Sequence, residues 1–249
     1  MRLIKIILFN ILLFISLSIY SHNPENFVIA EIEQGQLTFE NEKIEAEYDA
    51  AVKRLRIRRL NAMSWGKKFS IFTKAGFEHI IPKGLDHILF VLGLFFSCLK
   101  FRSLLVQVTA FTIAHSITLL FASIGLIHIQ SSIIEPLIAL SIVWIAIENC
   151  LLKEPGKWRF LVVFSFGLLH GIGFASVLTY YGLPQDNLIS LLLAFNIGVE
   201  LGQLSILFIA FILINLILKK KFKIKNIRIP ASIIIGSIGL FWFIERIFS

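Results

Sequence analysis

The chain has 249 residues, 57% of them hydrophobic, and a mean hydropathy of +0.82. Soluble domains hold roughly 45–50% apolar residues, so a soluble fold is excluded and an integral membrane protein is indicated. The formal net charge of +8 does not point to nucleic acid, because basic residues in a membrane chain collect in loops kept in the cytoplasm. Two cysteines, Cys98 and Cys150, lie at the ends of apolar runs on the side expected to be cytoplasmic, where thiols stay reduced, and imply no disulfide framework.

Residues 1–21 have Arg2 and Lys5, then an apolar run over 6–19, then Ser21, His22 and Asn23. That order predicts a secretory signal peptide; about 14 apolar residues are too few for a comfortable span. Residues 22–76 form a polar segment expected to be exported. Within it, Glu42, Glu45, Glu47 and Asp49 precede Lys53, Arg54, Arg56, Arg58 and Arg59, while Ile44, Tyr48, Ala51, Leu55 and Ala62 recur at helical spacing. An amphipathic helix follows, with acids and bases in the order the helix dipole favours. Residues 69–81 predict a short helix at the membrane surface, ended by Pro82 and Gly84.

Residues 77–249 are expected to form an all-α polytopic bundle of about six transmembrane helices, at roughly 84–99, 104–126, 133–152, 158–180, 188–218 and 229–248. A span needs about 20 residues, so the first is short and the fifth long. Lysines and arginines follow the first, third and fifth segments, as Lys100 and Arg102, then Lys153, Lys157 and Arg159, then Lys219 to Arg228. The loops after the second and fourth have none. The positive-inside rule places the odd-numbered exits in the cytoplasm and the N-terminal segment outside an inner membrane.

Ionisable side chains inside apolar helices are expensive unless they are paired, hydrated or bound, which makes each a functional candidate. The first segment begins in HIIPKGLDH, with His79, Asp86 and His87; the second carries His115, with Thr112 on its stripe; the fourth carries His170 among glycines. On the fifth, Asn196, Glu200 and Gln203 stand at i, i+4 and i+7, one polar stripe on one face. Imidazole and carboxylate suit borderline divalent metals such as nickel, cobalt and zinc, and amides orient such ligands from outside. The metal candidates are therefore Asp86, His87, His115, His170, Glu200 and His79, with Asn196, Gln203, Thr112, Glu148 and Asn149 in support. Glu148, near the end of the third segment, also has a simpler reading, as a snorkelling carboxylate or a partner of Lys153.

The runs GFEHIIPKGLDHILFVLGLFF, VTAFTIAHSITLL, EPLIALSIVWIAIEN, FGLLHGIGFASVL and FNIGVELGQL resemble, in order and spacing, the HupE/UreJ family over about residues 77–207. The resemblance implies a nickel or cobalt permease that accompanies hydrogenase or urease maturation, with a histidine–aspartate motif matched here by His79, Asp86 and His87. In the motif's better-known form proline directly follows the first histidine, whereas Pro82 comes three residues after His79, which ranks His79 below Asp86 and His87.

Two other readings stand beside the permease. Three histidines and an aspartate could hold zinc for an intramembrane hydrolase assisted by Ser116 or Glu200, although HExxH and GxSxG are absent. Alternatively, the polar groups serve only to lock helices in a non-transporting accessory subunit. No GxxxxGK loop occurs, so transport would be passive or gradient-coupled. The expected partners are the lipid bilayer and the transported divalent ion, with no permanently bound cofactor and a homo-oligomer left open.

Overall fold

The computed structural model describes residues 42–152, 154–156, 158–181, 187–217 and 225–248. The predicted signal peptide lies outside them. All elements among the described residues are helices: α1 (Glu42–Ala62), α2 (Trp65–Ile80), α3 (Leu85–Ser97), α4 (Phe101–Ser123), α5 (Ser131–Leu151), α6 (Arg159–Tyr181), α7 (Leu188–Ile217) and α8 (Lys225–Phe248). The chain divides into compact units at Met1–Ala51 and Val52–Ser249; of the first, only the opening half of α1 is described.

Four helical stretches are long and apolar enough to cross a membrane: Phe101–Ser123, Ser131–Leu151, Leu188–Ile214 and Ile227–Phe248. A fifth crossing exists if α2 and α3 count as one span bent by 68° at the break between them. Among the described residues the count is thus four, or five with the bent pair, beside the about six expected. The first segment, expected to be short, is shorter still. The helix there is only 13 residues, about 20 Å at 1.5 Å per residue, against a hydrocarbon core of about 30 Å. Helix α6, expected as the fourth segment, is 23 residues long, Arg159–Tyr181.

The break between α2 and α3 follows from its residues. Ile81 N–H makes the last bond of α2, to Phe77 O at 2.8 Å; Pro82, behind a cis peptide bond, brings no N–H of its own. Gly84 then caps α3. Helix α2 also differs from the surface helix expected at residues 69–81. It packs along α7, where the backbones approach so closely that a Cβ on Gly76 would strike the Phe195 carbonyl and one on Gly198 the Thr73 carbonyl.

Helices α4 and α6 make a second tight pair. Gly167 lies on the Phe111 backbone and Gly171 on that of His115, while Thr118 Oγ1 donates to Leu168 O at 2.8 Å. These positions rise together, so α4 and α6 run the same way, as alternate passes must. Helices α5 and α8 run oppositely, since Gly236 meets Ala146, Gly239 meets Ile142, and Arg246 Nη1 donates to Glu135 O at 2.9 Å. The short α3 packs against α5 and α7, and Asn149 Nδ2 donates to Gly93 O at 2.8 Å.

Between these pairs lies one apolar core containing Phe90, Phe95, Phe111, Phe195 and Leu94. Outward faces are apolar as well: Ile113, Trp144, Leu193, Phe208 and Phe241 are exposed. A fold apolar on both its inner and outer surfaces is what a lipid solvent requires. The protein is an all-helical integral membrane protein.

Candidate metal centre

Helix α3 opens on Leu85–Asp86–His87, so the Asp86 carboxylate sits in its first turn, where the positive end of the helix dipole favours an acid. Asp86 Oδ1 accepts from the His87 backbone N–H at 2.8 Å and lies 3.0 Å from His87 Nδ1. An ionised carboxylate can only accept, so the ring proton resides on Nδ1 and Nε2 keeps its lone pair. His170, on α6, has Nδ1 2.8 Å from Phe166 O. A carbonyl is likewise only an acceptor, which again leaves Nε2 as the bare nitrogen.

Asp86, His87 and His170 each bring one ligand atom within 4.8 Å of the others. Two further rings join them. His115, on α4, has its centroid 6.0 Å from that of His87, and His79, at the end of α2, lies 4.9 Å from His87 and 6.1 Å from His115. The structure thus brings the His79 ring beside the group, as it does that of His115, although its spacing from Pro82 departs from the motif. The reason is the break at residues 81–84, which folds the end of α2 back beside the start of α3.

Aromatic rings enclose the histidines. Phe111 lies 4.8 Å from His170 and 5.7 Å from His87; Phe174 lies 4.0 Å from His79. His115, His170 and His87 are 0%, 2% and 3% exposed. Among the described residues, His87 Nε2, His170 Nε2 and both ring nitrogens of His115 are buried without a hydrogen-bond partner. An unsatisfied buried polar atom costs about 1–3 kcal/mol. A neutral imidazole has one bare nitrogen and one N–H, so His87, His170 and His115 present three lone pairs in one aromatic chamber, which favour an occupant able to accept them. An imidazole-rich set with one carboxylate matches a borderline divalent metal better than calcium or magnesium, which take oxygen ligands.

The other sequence candidates fall into two places. Glu200 and Gln203, on α7, meet α4: Thr109 Oγ1 donates to Glu200 Oε1 at 2.6 Å, and Thr112 Oγ1 donates to Gln203 Oε1 at 2.9 Å. Asn196 Nδ2 donates to Leu192 O at 2.8 Å within α7 itself. Glu148 pairs with Arg159 at the start of α6 and receives the Gly156 N–H at 3.3 Å; Lys153, the partner read from the sequence, lies outside the described residues. Asn149 is spent on the α3 backbone. Glu148 and Asn149 thus support the joint of α3, α5 and α6, while Asp86, His87, His115, His170 and His79 form the cluster.

Sequence reasoning did not single out Thr109 or Arg159. Thr109 carried a usable signal: it stands three residues before Thr112, the same step that separates Glu200 from Gln203, so two matched pairs can bond across one helix contact. Arg159 carried none beyond its place in a basic loop.

A family model described as HupE / UreJ protein matches residues 54–246. No curated protein and no solved structure matches the chain.

Proposed function

Since the chain belongs to the HupE/UreJ family, we propose that it is a membrane permease for a divalent transition-metal ion, nickel or cobalt, with zinc as the nearest competitor. The observation that carries this reading is the convergence of Asp86, His87 and His170 ligand atoms within 4.8 Å, inside a chamber that also holds His79 and His115.

The two δ-nitrogen hydrogen bonds do separate jobs. The carboxylate of Asp86 fixes the His87 tautomer and adds negative charge, the arrangement that raises ligand basicity at metal sites. The Phe166 carbonyl fixes His170 without adding charge. A cation would exchange its hydration shell for imidazole nitrogens and one carboxylate. With several histidines close by, it can pass from one partial set to another, and no single set need hold it so tightly that release fails. The aromatic walls exclude water, which strengthens the attraction between the ion and Asp86.

The direct experiment reconstitutes the full chain in proteoliposomes and follows nickel, cobalt and zinc uptake in parallel, beside a His87→Ala variant. Uptake of nickel or cobalt that disappears in the variant supports the permease. Equal signals from wild type, variant and empty vesicles would rule it out. A stoichiometric zinc that never exchanges would instead favour the hydrolase reading. Inner-membrane residence with the N-terminal segment outside, and a link to metalloenzyme maturation, belong to the same proposal.

A further inference from the structure

The contact between α4 and α7 holds a second polar set with different chemistry. Glu200 receives the Thr109 hydroxyl on Oε1 at 2.6 Å, while its Oε2 is buried without a partner among the described residues. One turn earlier on the same helical face, Asn196 is 6% exposed and its Oδ1 accepts nothing; one turn later, Gln203 is 1% exposed and its Nε2 donates to nothing. Side chains three and four apart on a helix are neighbours. On this helical face Glu200 is thus flanked by Gln203, whose unused amide donor suits an ionised Glu200, and by Asn196, whose unused amide oxygen suits a Glu200 that has taken up a positive charge.

We propose that Glu200, framed by Thr109, Asn196 and Gln203, is a second site that binds one monovalent cation, a proton or a sodium ion, and couples it to metal movement. One carboxylate with the Thr109 hydroxyl beside it and the Asn196 amide oxygen on the same helical face is a hard, singly charged oxygen donor set, whereas borderline metals favour imidazole. The ligand-atom set of Asp86, His87 and His170 does not include Glu200. Helices α2, α3 and α4 pack on α7; the buried or half-buried titratable groups they bring are Lys68, Glu78 and His79, Asp86 and His87, and His115, while the bond to Glu200 itself comes from the neutral Thr109. Thr112 joins the two sites physically: it bonds Gln203 from the same helix, and one turn before, His115. A change in the charge of Glu200 can thus reach the cluster through α4.

The coupling half of the proposal rests on the permease reading; cation binding at Glu200 does not, so the two are tested apart. In the metal-free full chain, in lipid nanodiscs, infrared titration of protonated carboxyls and binding of radiolabelled sodium are compared across variants. A carboxyl signal or a bound sodium should be present in wild type and His87→Ala and absent in Glu200→Gln; sodium binding identifies sodium, and a carboxyl signal without it identifies the proton. Thr109→Val should weaken sodium binding about tenfold, the size of one lost hydrogen-bonding partner of a charged group, or, where the ion is a proton, raise the pH at which the carboxyl signal is lost, because the missing donor favoured the ionised form; Thr109→Ser should restore the wild-type value in both cases. In proteoliposomes loaded with nickel, Glu200→Gln should keep nickel binding and lose about tenfold of the acceleration produced by an imposed proton or sodium gradient. The proposal is overturned if Glu200→Gln leaves both metal-free signals intact, if it abolishes nickel binding as His87→Ala does, or if its gradient response equals that of wild type. Loading of Glu200 in a wild-type protein that neither binds nor moves metal would overturn the permease reading while leaving the cation site standing.

Discussion

Asp86 Oδ1 receives both the backbone N–H and the Nδ1–H of the residue that follows it, His87, at 2.8 Å and 3.0 Å. One oxygen thereby caps the first turn of α3 and fixes the tautomer of a buried ring. Asp86→Asn keeps the size of the side chain and removes its charge, and its amide can turn either an oxygen or a nitrogen toward the ring. Nickel affinity should fall at least about 10–100-fold, the usual effect of losing the carboxylate that orients a ligating histidine, with the loss of a charged ligand oxygen adding to it. Equilibrium dialysis of the purified variant measures it, and an unchanged affinity would deny Asp86 both its charge role and its orienting role.

His170 is packed as an aromatic residue, with Phe111 and Phe90 rings 4.8 Å and 5.8 Å away. His170→Phe should therefore leave the fold intact, because rings in such contacts tolerate exchange of similar shape, while removing one ligand. The expected result is an unchanged melting temperature in detergent together with lost nickel binding. A variant that unfolds, or one that binds nickel normally, would show that the ring acts through packing alone.

The existence of the helices and most of their bounds could be read from apolar runs and turn residues, because hydropathy reports transfer into lipid and does so locally. The shortness of the first segment could be read as well, from its residue count and from Pro82 and Gly84; the bend at that break could not. Helix α3 is as apolar as the others, and its 13 residues are set by the Pro82 and Gly84 break, whose angle depends on what packs around it. The same limit applies to the site. His87, His115 and His170 announced themselves as costly residues in apolar helices, but whether they met depended on Gly167 and Gly171, which let α6 approach α4. Composition reveals a glycine without revealing the helix opposite it.

Those close approaches set a third expectation. Gly198→Val would drive a branched side chain into the Thr73 carbonyl and the Phe77 backbone of α2, and backbone cannot move aside as a flexible side chain can. Overpacking of this kind costs about 1–3 kcal/mol. Since α2 carries His79, separating it from α7 should lower both thermal stability and nickel uptake. Gly66→Val, at a position with nothing near its Cβ, serves as the control and should alter neither beyond the small effect of helix propensity. Equal melting temperatures for the two variants would mean that α2 is not held to α7 by this contact.

The Glu148–Arg159 pair joins α5 to the start of α6, with the arginine side chain 4% and the glutamate 14% exposed. Removing one partner strands the other charge, which costs about 3–5 kcal/mol when the pair is buried. Replacing both with apolar residues of similar size is often neutral, because desolvation of two ions offsets much of their attraction. Glu148→Ala should thus be strongly destabilising, and Arg159→Met less so, because the glutamate is the more exposed of the two and better able to reach water. The double variant Glu148→Leu/Arg159→Met should recover most of the loss. If it is instead no more stable than Glu148→Ala, the ion pair itself holds the joint. Metal uptake by a stable double variant then separates structure from transport: normal uptake would confine Glu148 to the scaffold, whereas lost uptake would return it to the ion's path.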